Sequence, residues 1–309
     1  MRKILITGGA GNVAGSLAAR LVQDKNNYVV IVDNLLTGCV SKLPSKEFSN
    51  WKFIKADVNN FKEISSIMAS FAFDYVYHYA AVVGVKRTLL HPKMVLNDID
   101  GIKNVLDMAK NTGVKRIFFS SSSEVYGEPV EIPQHEDRTP LNSKLPYSIV
   151  KNIGEAFLRS YHQEYGLEYG IFRFFNTYGP RQSTDFVITK FISSALKGED
   201  ITIYGDGSQT RTFCYIEDNL DVTEKILNEN LMVNDVLNIG SDLEMTILEL
   251  AQAVVLHTNS TSKLIHLPAL PEGDMTRRQP DNSKMMKILG KPLTTLEEGI
   301  RKTIELGGF

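Results

Sequence analysis

The sequence predicts an α/β chain: a doubly wound parallel sheet with a smaller α/β region built onto it. Three observations point there. Short runs of β-branched and aromatic residues alternate with segments of helical length, the runs are apolar almost throughout rather than at alternate positions, and the first of them ends in a glycine-rich turn.

The runs are KILIT (3–7), YVVIV (28–32), WKFIK (51–55), DYVYHYA (74–80), KRIFFSS (115–121) and YGIFRFF (169–175). Between them the helical segments are 11–23, 61–70, 92–112 and 147–165. After about residue 176 the alternation loosens around two further helices, 185–197 and 246–257. Residues 1–175, with 212–243 returning to them, are therefore expected to form the sheet domain. Residues 176–211 and 244–309 are expected to form a smaller, ligand-facing domain. Open parallel sheets take ligands at the carboxyl ends of their strands.

Composition removes several classes of function. A chain of 309 residues that is 43% hydrophobic buries a large core and is neither disordered nor of low complexity. With 34 Lys and Arg against 36 Asp and Glu, no cationic surplus is left for a phosphate backbone, so no nucleic-acid partner is expected. Cys39 and Cys214 have no CxxC or Cys/His spacing, and the six histidines are scattered, so neither a metal site nor a disulfide framework is expected. Free thiols suit a reducing cytoplasm. The first strand starts at residue 3, so no targeting segment is expected before it, and the most apolar stretch, 71–85, is too short for a bilayer and carries Asp74 and His78.

The glycine-rich turn is Gly8-Gly9-Ala10-Gly11-Asn12-Val13-Ala14-Gly15. Glycines let backbone N–H groups close on a pyrophosphate at a helix N-terminus, where the helix dipole favours negative charge. Glycines alone would serve any tight turn. Here the turn follows a strand, opens a helix and is matched by Asp33 at the end of the second strand, where a carboxylate receives an adenosine ribose diol. That combination makes a dinucleotide-binding Rossmann sheet, with Gly8, Gly11, Asn12 and Val13 on the cofactor. A carboxylate at 33, followed by Asn34 and Leu35 with no arginine, repels a 2′-phosphate, so NAD is expected rather than NADP. Asp57 and Val58, after the third strand, are assigned to the adenine edge, with a helix cap as the other use of Asp57. Ala80 and Ala81, after the fourth strand, line the cofactor groove, and His78 reads as a packed core histidine.

Tyr147 and Lys151 stand four residues apart on a helix, so their side chains share a face. Tyrosine ordinarily ionises near pH 10; to act as a base near neutrality its anion needs stabilising by about three pKa units, about 4 kcal/mol. A neighbouring ammonium supplies part of that. A YxxxK spacing alone is common in helices. Its weight comes from Ser120–Ser123 at the end of the fifth strand, where a hydroxyl meets the same substrate oxygen that Tyr147 deprotonates.

With GGAGNVAG, Asp33, SSSSEVYG (120–127), YSIVK (147–151) and FFNTYGPR (174–181), the chain resembles the extended short-chain dehydrogenases along essentially its whole length. The segments IYGDGSQTRTF (203–213) and EGDMTRRQPD (272–281) are similar to those of the nucleotide-sugar epimerase, dehydratase and decarboxylase branch. The resemblance implies Ser122 as the catalytic hydroxyl, Tyr147 as base and Lys151 as the ribose-binding, tyrosine-activating residue. It also implies Asn176, Arg211 and Arg278 as substrate and diphosphate contacts, Tyr204 beside the nucleotide base, and a homodimer through the helices at 92–112 and 147–165. The chain departs from the pattern at Ala14, where a third glycine is usual, and at Asn12-Val13.

The implied first step is oxidation at C4 of the sugar of a UDP- or GDP-linked substrate. Dehydratases of this branch carry Asp-Glu after the catalytic hydroxyl, and this chain carries Ser123-Glu124, so the acid for a departing C6 hydroxyl is missing. Ser123 then becomes a substrate contact. Glu124 is assigned to the C5–C6 end of the sugar or to holding the loop. Two outcomes remain: the ketone is reduced back, a 4-epimerase, or released, a 4-dehydrogenase of the kind that serves cell-surface polysaccharide synthesis. UDP-glucuronate decarboxylases share Ser-Glu and the GDGSQTR and RRQPD segments and are the rival enzyme, although Leu145-Pro146 stand where they carry an arginine-containing insertion. A non-catalytic NAD-sensing scaffold on the same fold is the rival outside enzymes. It would be expected to lack the tyrosine or the lysine, and both are present here.

Overall fold

The computed structural model describes residues 1–269 and 277–307. In chain order the elements run β1 (Arg2–Thr7), α1 (Asn12–Leu21), β2 (Asn27–Asp33), β3 (Trp51–Lys55), α2 (Phe61–Phe71), β4 (Tyr75–His78), α3 (Val85–Leu90), α4 (Pro92–Leu96), α5 (Asp98–Thr112), β5 (Arg116–Ser122), α6 (Pro146–Tyr165) and β6 (Glu168–Phe174). They continue with β7 (Thr177–Tyr178), α7 (Val187–Leu196), β8 (Ile201–Tyr204), β9 (Thr210–Thr212), β10 (Cys214–Tyr215), α8 (Ile216–Asn228), β11 (Asp235–Ile239), β12 (Glu244–Thr246), α9 (Ile247–Thr258), β13 (Leu264–Leu267), α10 (Ser283–Leu289) and α11 (Leu296–Leu306).

Seven strands form one sheet in the order β11-β6-β5-β4-β1-β2-β3, and the pairings from β3 through β5 are all parallel. Strands in such a sheet are covered on both faces, which is why Ile4, Leu5, Ile6 and Val29–Val32 have no exposed surface. The order reverses between β1 and β4. That reversal opens a crevice at the carboxyl ends of these two strands, the place where a doubly wound sheet takes its ligand.

The chain divides into two compact units. The first is Met1–Val125, Ser143–Arg173 and Thr223–Leu237, and it holds this sheet except for the last residues of β6 and β11. The second is Tyr126–Asn142, Phe174–Val222 and Asn238–Phe309. It is built from three two-stranded pairs: β7 with β10 and β8 with β13, both parallel, and β9 with β12, antiparallel.

The two units differ from the expected division at residues 126–142 and in the returning segment. Residues 126–142 belong to the second unit because their polar groups are satisfied there: the Gln134 N–H donates to the Gln279 carbonyl, the Asp281 N–H donates to the Gln134 carbonyl, and Glu136 accepts the Asn238 N–H. The returning segment is also shorter than 212–243, because β9 and β10 pair inside the second unit. The expected single helix at 92–112 is two, α4 and α5, meeting at Asn97, and α3 precedes them.

Candidate active site

Thr7, the last residue of β1, organises the crevice. Its hydroxyl accepts the N–H groups of Tyr79 and Ala80 at 3.1 and 3.2 Å, and it lies 2.9 Å from Nδ1 of His78. With both lone pairs engaged the hydroxyl donates to Nδ1, which leaves the proton of a neutral His78 ring on Nε2. His78 is buried against Phe119, and burial, followed by the charge on Lys151, pulls its pKa down to about 3. It is a core histidine held neutral.

The turn after β1 fits a pyrophosphate cofactor. Gly8 has φ 70°, and a Cβ there would stand 2.8 Å from the backbone of Ala80, so no side chain separates the turn from the end of β4. Gly11 is the N-cap of α1 and carries no side-chain cap of its own. Asn12 opens that helix with its Oδ1 buried and without a hydrogen-bond partner among the described residues, and Val13 follows it, half-buried. Ala14 fits in the core, while Gly15 lets the Lys42 carbonyl approach to 3.0 Å of where a Cβ would stand.

Asp33 is buried and spans the turn and the exit of β2: its carboxylate accepts the Ala10 N–H at 3.0 Å and the Leu35 N–H at 2.7 Å. A Cβ at Gly38 would fall 2.7 Å from Oδ1 of Asp33, so only a glycine lets the backbone at 38 pass this close to the carboxylate. Asn34 donates to Asp57 at 3.2 Å. Asp57 does not cap α2; Asn60 does, and Asp57 instead closes a turn on the Asn59 N–H. Val58 is buried, with its carbonyl on the Asn104 amide, and Ala80 and Ala81 follow β4 half-buried.

Lys151 of α6 is brought to the serine run at the end of β5. Lys151 is 3% exposed; its Nζ donates to the Ser120 hydroxyl at 3.3 Å and stands 5.0 Å from the Phe119 ring centre and 5.7 Å from that of Tyr147. Burial pulls the ammonium down to about 8, and the Asp98 carboxylate opposes that pull. Asp98, in the first turn of α5, is anchored by the Val82 N–H at 2.7 Å; burial raises its carboxyl against that bond and against Lys151. Ser122 accepts the Glu124 N–H at 3.2 Å, closing the turn that follows the strand, and Ser123 is buried beside it. The hydroxyl that touches Lys151 is thus Ser120, not Ser122.

Asn176, Tyr204, Arg211 and Arg278 lie in the second unit. Asn176 donates its amide to the Thr212 carbonyl at 2.9 Å. Arg211, on β9, and Arg278 are buried arginines at 7% and 8% exposure, whereas Arg277 is exposed and paired with Glu244. Tyr204 ends β8 half-open, with the Lys190 ammonium 5.5 Å above its ring. Residues 272–276 of the EGDMTRRQPD segment lie outside the described residues. Among the described residues no His, Cys, Asp and Glu are grouped to hold a metal, and no helix is long and apolar enough to cross a membrane.

Three contributors were not singled out from sequence: Thr7, Gly38 and Asp98. Thr7 had a signal, a hydroxyl at the last strand position before the glycines, and so did Asp98, an acid in a helix's first turn. Gly38 had none, because its role depends on how the chain folds back over Asp33.

The model of the NAD dependent epimerase/dehydratase family matches residues 4–240. The UDP-N-acetyl-alpha-D-glucosaminuronate decarboxylase of Bacillus cytotoxicus is 35% identical, over 98% of this chain and 97% of that protein. A putative UDP-glucose 4-epimerase of Methanocaldococcus jannaschii is 34% identical, over 97% of each chain. Among solved structures, the UDP-glucose 4-epimerase of Thermotoga maritima with UDP-glucose superposes with a TM-score of 0.91, at 29% identity and 98% coverage of both chains.

Proposed function

Because the chain belongs to the NAD-dependent epimerase/dehydratase family and is an enzyme of short-chain dehydrogenase type, we propose that it oxidises C4 of the sugar of a UDP-sugar, with Tyr147 as base. The observation that carries this reading is the buried Lys151 ammonium held between Ser120 and the Tyr147 ring.

NAD supplies, when bound, the hydride acceptor for C4. Gly8, Gly11, Asn12 and Val13 hold its pyrophosphate, Asp33 and Asn34 its adenosine ribose, and Asp57, Val58, Ala80 and Ala81 the walls of its groove. Lys151 lies near enough to Tyr147 to stabilise the phenolate by charge, and its own hydrogen bond to Ser120 fixes where that charge sits. Tyr147 takes the C4 hydroxyl proton while Ser122 hydrogen-bonds the same oxygen. Arg211 and Arg278, both buried, neutralise the diphosphate through charge-assisted bonds and Asn176 orients it. Tyr204 flanks the uracil. The ketone is then reduced back, as in a 4-epimerase, or released, as in a 4-dehydrogenase. Dehydration is disfavoured because Ser123 offers no carboxyl acid and is buried, with Glu124 left to the sugar or the loop. A homodimer through α5 and α6, in a reducing cytoplasm that keeps Cys39 and Cys214 as free thiols, is part of the same proposal.

Decarboxylation of a UDP-glucuronate is the second reading, favoured by the 35% identical decarboxylase of the related UDP-N-acetyl-glucosaminuronate, by a 35% identical UDP-glucuronic acid decarboxylase of Danio rerio and by Ser123-Glu124. One experiment addresses both. The protein and its Tyr147→Phe variant are incubated with UDP-glucose and UDP-glucuronate, with and without NAD, and the products are weighed. The variant is expected to bind NAD and lose about 100- to 10,000-fold in kcat; turnover equal to the parent's overturns the assignment of Tyr147. Loss of carbon dioxide selects the decarboxylase, loss of two hydrogens the dehydrogenase, and an isomer of unchanged mass the epimerase.

A further inference from the structure

Glu155 lies four residues beyond Lys151 and eight beyond Tyr147, on the same face of α6. Its side chain has no exposed surface. It accepts the Ser121 hydroxyl at 2.6 Å and two bonds from Arg173 of β6, at 2.9 and 2.7 Å, and Arg173 is itself 1% exposed. Arg159, one turn on and largely open to water, adds a contact at 3.3 Å. Burial alone would raise the Glu155 carboxyl; the Arg173 bonds outweigh it and hold the group ionised, below the usual range.

A buried ion pair of this kind is a poor device for stability. Well-packed apolar residues of the same volume often do as well or better, because the attraction only repays the cost of taking two charges out of water. What the pair supplies is direction. Helix and strand approach closely here: a Cβ at Gly154 would stand 2.4 Å from the Phe119 ring. Two hydrogen bonds tie them together at the strand's end, Lys151 to Ser120 at 3.3 Å and Ser121 to Glu155 at 2.6 Å. The second is the shorter, it is made by the residue adjacent to Ser122, and its carboxylate is clamped from β6.

We propose that Glu155, clamped by Arg173, is a positioning residue that fixes the end of β5 against α6 through Ser121 and so sets the Ser122 hydroxyl relative to the Tyr147 phenol. This rests on the reading of Ser122 and Tyr147 as the reacting pair. Displacing either group by a fraction of an ångström costs rate while leaving substrate and cofactor binding in place.

The test uses Ser121→Ala, Ser121→Thr and the double variant Glu155→Leu/Arg173→Met, which removes the ion pair without leaving a lone buried charge. Turnover of UDP-glucose or UDP-glucuronate is measured per NAD-binding site, beside KM, the thermal midpoint and the pH profile. Ser121→Ala is expected to lower the midpoint modestly, because a buried carboxylate loses a donor, to keep its KM and NAD content and to lose about 10-fold in kcat at every pH, with Ser121→Thr restoring most of it. The double variant is expected to fold, bind NAD and lose about 100-fold in kcat. If Ser121→Ala keeps the parent's kcat, or if the variants change only the midpoint and the fraction of sites that bind NAD, the proposal is overturned and the pair is structural. An inactive Tyr147→Phe beside a fully active Ser121→Ala sinks the positioning role alone; an active Tyr147→Phe sinks the catalytic reading beneath it.

Discussion

At the scale of single residues, Lys151 couples pH to activity and to stability in opposite directions. Its ammonium rests on the Phe119 ring at 3% exposure, and burial brings its pKa from 10.5 to about 8. On the proposed reading the cation stabilises a Tyr147 phenolate, so kcat is expected to fall as pH rises through about 8. Stability moves the other way. The folded pKa lies below the unfolded one, so between pH 8 and 10.5 the unfolded chain binds the proton more tightly. The cost of burying the ammonium is therefore felt fully below pH 8 and relieved as pH rises towards 10.5. A pH series of kcat beside urea midpoints checks this, and Asp98→Asn, which removes the carboxylate that holds the charge in place, should move the descending limb to lower pH. A flat kcat up to pH 10 would mean that the ammonium does not activate Tyr147. Tyr147, Lys151 and Asp33 were legible in the sequence because each belongs to a local pattern with a chemical purpose. Asp98 offered only an acid in a helix's first turn, because its meaning comes from a lysine 53 positions away.

At the scale of elements, the turn from β1 into α1 is the least replaceable. Gly8 combines a positive φ with a backbone neighbour at 2.8 Å, so Gly8→Ala meets both a strained dihedral and a clash that no rotamer relieves. A loss of about 1–3 kcal/mol in stability is expected, together with reduced NAD content in the purified protein, read by denaturation and by absorbance of the released nucleotide. A variant with unchanged midpoint and full NAD content would show that the turn is more tolerant than its geometry implies. The long strands were legible as β-branched runs because a parallel strand buried on both faces must be apolar throughout. The two-residue strands β7 and β10 were not, since strands this short exist through pairing with each other and have no pattern of their own. The division of 92–112 into α4 and α5 was hidden for a similar reason: Asn97 keeps helical dihedrals, so no residue in the segment marks the break.

At the scale of the whole molecule, the cofactor groups lie in the first unit, so NAD is expected to act on that unit's stability. Saturation at about one hundred times Kd should add about 2.7 kcal/mol. Calorimetry with and without NAD checks the magnitude, and amide exchange at β1, β2 and β4 its location; protection confined to the second unit would contradict the placement. By itself the sequence determined the sheet, the NAD turn with its Asp33 and the Tyr147–Lys151 helix. Each of these rests on interactions within a few residues or on a periodicity that the chain carries along its length. Only the tertiary structure decided that Ser120 meets Lys151, that Ser121 is held by Glu155 and Arg173, and that residues 126–142 belong with the second unit. Those are pairings of polar groups far apart in sequence. Hydrophobic pattern says nothing of them, and they are fixed by which buried donors and acceptors the packed chain leaves to be satisfied.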